Sequence, residues 1–75
     1  STEIEGVAKL AARIKARYLA KLLDVGNPAK SGVQETEIKE LVRYRETYEE
    51  LGRGLDMLKD AIESGDVTVS GMIRR

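Results

Sequence analysis

Leu41, Tyr44, Tyr48, Leu51, Leu55, Leu58 and Ile62 recur at intervals of 3, 4, 3, 4, 3 and 4 residues. A helix of about 3.6 residues per turn places all seven on one stripe, and no strand does so. The pattern predicts a second helix starting between residues 32 and 36 and ending near 64. Running from about residue 33, such a helix is roughly 45 Å long at 1.5 Å per residue. Gly52 and Gly54 interrupt it, at a cost on the order of 2 kcal/mol for the pair. The heptad phase passes through both glycines without a slip, so a continuous or bent helix is expected; the alternative is a break leaving a third short helix at 55–64.

Upstream, Ile4, Val7, Ala11, Ile14 and Tyr18 keep the same rhythm, predicting a helix over 2–24. Leu10, Leu19, Leu22 and Leu23 widen its apolar stripe, and five alanines raise helix propensity. Thr2 and Glu5 have capping-box spacing. Gly6 is a weak point one turn in. Val25-Gly26-Asn27-Pro28 stops the helix, with Gly26 suited to a left-handed residue and Pro28 unable to continue the hydrogen bonding. A loop over 27–32 follows, with Ser31 and Gln34 as a second capping box and Thr36 as a rival start. The expected fold is all-α, an antiparallel two-helix hairpin over 1–65 with an extended or disordered tail over 66–75. In that tail Val67, Val69 and Ile73 alternate like a short strand that lacks a partner in the chain, and they are candidates for contact with a neighbouring sheet edge.

Composition narrows function by exclusion. The 75 residues contain no Cys and no His, which removes disulfides, the commonest general base and soft metal ligands. No apolar run approaches the ~20 residues of a membrane span. A chain this short rarely offsets its ordering entropy alone, and without disulfide or metal the remaining remedy is association. On the boundaries above, the second stripe outruns the first by about a turn or two. The expected surplus lies at Leu55–Ile62, to be buried by another subunit.

Thirteen basic and thirteen acidic side chains cancel, but unevenly along the chain. Residues 8–22 hold five bases and no acid, whereas residues 35–63 hold nine acids and five bases. Lys9, Arg13, Arg17 and Lys21, four apart, form a basic ridge. Its expected counterpart is the acidic second helix, and a polyanion is the alternative.

Nothing in the sequence builds a catalytic site. Glu46, Glu49 and Glu50 share one turn, but Arg45 and Arg53 stand at salt-bridge spacing from Glu49, which favours a solvated face over a metal site. Gly52-Arg53-Gly54 lacks the strand-to-helix setting of a phosphate loop. Tyr44 and Tyr48 read as seam residues with hydroxyls at the edge, and Ser64 and Ser70 have no activating base nearby. The expectation is a non-enzymatic assembly or adaptor subunit, without cofactor or metal, acting through protein contacts as a coiled-coil-like oligomer or on a protein partner. It would work in the cytoplasm or inside an assembly such as a phage virion. The alternatives are a small nucleic-acid-binding helical dimer using the basic ridge, or an inhibitor gripping one host protein.

Overall fold

A computed structural model describes residues 1–65, and Val67, Val69 and Ile73, with the strand expected of them, lie outside that range. Two helices form, α1 (Thr2–Val25) and α2 (Glu35–Glu63), and they pack against each other as a hairpin. No strand occurs among the described residues.

The ends of the helices differ in detail from the sequence expectation. Ser1, not Thr2, caps α1: its hydroxyl accepts from the Ile4 N–H at 3.3 Å and its carbonyl from the Glu5 N–H at 3.0 Å. Thr2 is therefore already helical, and no Thr2–Glu5 box is needed. Gly26 is not left-handed; at φ −86° it leaves α1 in the right-handed region, its N–H bonded to the Leu22 carbonyl at 3.2 Å. Asn27 and Pro28 end the helix instead. The Asn27 side-chain oxygen accepts from the Ala29 N–H at 2.9 Å and its carbonyl from the Lys30 N–H at 3.0 Å. This is a turn with Asn first and Pro second, the places where each is favoured.

Gln34 opens α2, rather than Ser31 or Thr36, and the Glu37 carboxylate returns to accept from the Gln34 N–H at 3.0 Å. Gly65 follows the α2 C-cap at φ +88°, a conformation that costs glycine little and other residues more.

α2 runs unbroken through Gly52 and Gly54, so the separate short helix at 55–64 does not form. A Cβ added at either glycine would meet nothing within 4 Å, and neither has a positive φ. The hairpin's own packing therefore does not call for glycine there. Gly54→Ala is expected to stabilise the hairpin by about 1 kcal/mol through helix propensity alone. Urea denaturation at one pH reads it; an unchanged or lowered midpoint would mean that the glycine answers a contact outside the chain.

With Ile4 and Leu41 both assigned to heptad position a, the two stripes interlock in one antiparallel register. Ile4 shares a groove with Leu55, Leu58 and Ile62, the Lys15 ammonium lies 5.8 Å from the Tyr48 ring centre, and Lys21 reaches Glu37 and Glu40. These contacts set Ile4 opposite Leu58, Ala11 opposite Leu51, Lys21 opposite Leu41 and Val25 opposite Glu37. The surplus expected at Leu55–Ile62 is thus not exposed beyond α1: all three apolar seam residues there are half-buried, and the first turn of α1 reaches them. The five extra residues of α2 are shared between its ends, 35–36 reaching past Val25 at the loop and 61–63 past Thr2 at the open end, and at the loop Lys30 folds back onto Glu37.

The core is thin. Among the described residues only Ala11 (6% exposed) and Leu41 (8%) are buried. The radius of gyration is 16.8 Å, against about 11 Å for a globular chain of this length.

Candidate interaction surface

The predicted seam is where the helices meet. Leu41 is buried, and Tyr44, Tyr48, Leu51, Leu55, Leu58 and Ile62 are half-buried. The tyrosines keep their polar ends at the rim: the Tyr44 hydroxyl donates to Glu40 at 3.0 Å, and the face of Tyr48 receives Lys15. Seven positions with an α1 stripe opposite them leave this seam committed to the chain's own fold.

At the loop end the seam becomes ionic. Glu37 occupies a seam position and accepts from the Lys21 ammonium at 3.1 Å, from Lys30 and from the Gln34 N–H. Asp24 accepts from Lys30 at 3.1 Å and from Lys21 at 3.5 Å. The Gln34 N–H first, then Lys30 and Lys21, hold the Glu37 carboxyl down at about 2. Lys30 lowers Asp24, and contact with Glu37 raises both lysines.

The pH consequence has a definite sign. A carboxylate held below its ordinary value stabilises the fold fully above that value and stops doing so as it is protonated in the fold. Stability should therefore fall as pH drops from about 4.5 toward about 2. The raised lysines act in the other direction, their contribution present below 10.5 and lost as pH climbs through their higher folded values. Glu37→Gln should be weaker at pH 7 and flatter across the acid window. Urea midpoints at several pH values test this, and parallel curves for the two proteins would reject it.

The basic ridge meets α2 only in part. Lys21 pairs with Glu37 and Glu40, while Lys9, Arg13 and Arg17 are exposed without an ion pair among the described residues. The cause is helical geometry: a four-residue step advances about 40° around the axis, so three steps swing about 120°. The ridge spirals from the outer face into the seam and does not present one edge. Of the salt bridges expected around Glu49, Arg45–Glu49 forms at 3.0 Å, and no Glu49–Arg53 pair occurs. Among the described residues no group of three acids is placed to hold a metal ion, and no helix is long and apolar enough to cross a membrane.

What the sequence reading did not single out is a second apolar face. Leu19 and Leu22 on α1 and Ile38 and Val42 on α2 remain 37–47% exposed. In the heptad register all four stand at positions b and e. The b and e edges of the two helices lie on the same side of the hairpin, because Lys15 and Leu19 share with Arg45 and Glu49 one groove of about 230 Å³. The four exposed residues thus continue that groove toward the loop. The signal was present as a stripe offset from the main one, but Leu19 and Leu22 read as a widening of the α1 seam, and Ile38 and Val42 stand alone between charged neighbours.

Comparison with protein-family models, with curated proteins and with solved structures finds no match.

Proposed function

We propose that this chain is a non-enzymatic assembly subunit that completes its hydrophobic core against another protein chain. The observation that carries this reading is the imbalance of burial. Among the described residues two are buried, while eight large apolar side chains stay exposed, four of them gathered on the b/e face. A contiguous apolar patch of that kind marks interaction surfaces on soluble proteins. A coiled-coil-like bundle, repeated within a larger particle such as a virion, would use such a unit. The alternative of a polyanion ligand rests on Lys9, Arg13 and Arg17, whose splay around α1 and the zero net charge of the chain both work against it.

Thermal unfolding followed by circular dichroism over a hundredfold range of concentration tests the proposal, with sedimentation giving the mass. Either a melting temperature that rises with concentration or a broad, weakly cooperative melt of the isolated chain supports it. A sharp melt of a monomer, independent of concentration, overturns it.

A further inference from the structure

We infer that the b/e face of the hairpin docks antiparallel onto the same face of a second copy of this chain, about a twofold axis at the level of Lys15. This rests on the assembly reading above and names the partner.

Three features of the face fit a copy of itself. The first is size. Counting outward from Lys15 along α1, the loop side carries Leu19 and Leu22 at b and e, and the terminal side carries Ala12 and Ala8. A twofold axis there puts Leu22 of one copy over Ala8 of the other, and Leu19 over Ala12. On α2 the same operation puts Val42 over Gly52. Three of the four large side chains of the face thus meet small ones of the other copy, the interlocking that close packing requires, while Ile38 falls over Asp56. It also gives Gly52 a reason that the isolated hairpin lacks, since open space surrounds its added Cβ.

The second is charge. Between Glu5 and Leu22 on α1, and between Ile38 and Lys59 on α2, the b and e positions carry three bases and three acids. A neutral, mixed face can meet its own copy without net repulsion, although the axis sets the two Lys15 side chains beside each other, each ammonium held over its own Tyr48 ring. Arg45 and Glu49, already paired at 3.0 Å within the chain, are brought opposite Glu49 and Arg45 of the other copy. The remaining edge, positions c and g, is poorer for this purpose: its exposed large apolar residues are Leu10 and Met57, set among Arg13, Arg17, Arg43 and Glu50.

The third is area. The matched face is about 30 Å long and about 20 Å wide at helix dimensions, or about 600 Å² per copy. The pair then covers about 1,200 Å², the lower end of stable specific interfaces. The product is a four-helix bundle in which each α1 lies against its counterpart and each α2 against its own.

The chain contains no Cys, so single cysteines report geometry cleanly. Full-length Ala8→Cys and Leu22→Cys proteins, mixed under mild oxidation, should form the mixed disulfide at least about tenfold faster than either forms its own. In the proposed dimer like positions lie about 20 Å apart and unlike ones face each other. Met57→Cys, on the opposite edge, should not cross-link with either. Gly52→Leu should strengthen the helix yet weaken dimerisation about tenfold or more, because Val42 of the other copy occupies the space. A dimer by sedimentation with that cross-linking pattern supports the inference. A dimer that cross-links indiscriminately or through Met57 overturns this docking but leaves the assembly reading in place. A weakly cooperative monomer does the same, and a sharply melting monomer overturns both.

Discussion

Leu41→Ala should leave the hairpin largely unfolded at 25 °C. Leu41 is the one large apolar side chain that α1 and α2 bury. Deleting such a side chain costs about 2–5 kcal/mol, the lost transfer energy plus the cavity left behind. A single core in a chain of about this size rarely supplies more than about 3–5 kcal/mol in total. One substitution therefore consumes most of the margin. The site is also coupled to its surroundings, because the register sets Leu41 opposite Lys21. The lysine stem crosses the seam there while its ammonium reaches Glu37. Loosening Leu41 frees the stem and weakens the ionic cluster at the same time. Leu55→Ala, at a half-exposed seam position, should cost distinctly less and leave a folded protein. Far-UV circular dichroism and urea titration of the two variants side by side decide the matter. Equal losses at the two positions would mean that burial along the seam is uniform and that Leu41 holds no special place.

The helices and their pairing were legible because periodicity is a long-range signal. Seven heptad positions in α2 and five in α1 point to the same faces, and two glycines could not outweigh that agreement. The ends were less legible because neighbouring polar residues compete for a cap with small differences in energy. Ser1 and Thr2 can each cap α1, and Ser1 does. At α2, Gln34 is a poor N-cap by type, yet the helix starts there because Glu37, three residues on, is also the acceptor for Lys21 and Lys30. A tertiary contact decided a local choice. Lys30 itself could not be found from sequence, since its part depends on the Asn27–Lys30 turn swinging it back over the seam. The ridge misled for a different reason: four-residue spacing looks straight in a sequence but drifts around a helix, so only Lys21 arrives at α2. The b/e face was hidden because its apolar residues are split between two helices and are united only once the hairpin closes.

Ala11 is the most deeply buried side chain between the described helices, and enlarging it should push them apart. Ala11 is the least exposed residue described, and the register places it opposite Leu51. A leucine at Ala11 adds three carbons where no space is left, at a cost of about 1–3 kcal/mol. Leu51→Ala alone opens a gap at the same layer and costs at most about 2–5 kcal/mol, toward the lower end because Leu51 is half-exposed. The double variant, Ala11→Leu with Leu51→Ala, moves the large side chain from one helix to the other and roughly restores the volume of the layer. Its loss should fall short of the two single losses combined by about 1–3 kcal/mol, the range of coupling between residues in direct contact. Urea denaturation of the four proteins closes the cycle. The test is specific to register, since a slip of one heptad would set Ala11 opposite Leu58 or Tyr44 and leave no coupling to Leu51. Strict additivity would therefore reject the helix alignment on which the position of every flanking residue, including the b/e face, depends.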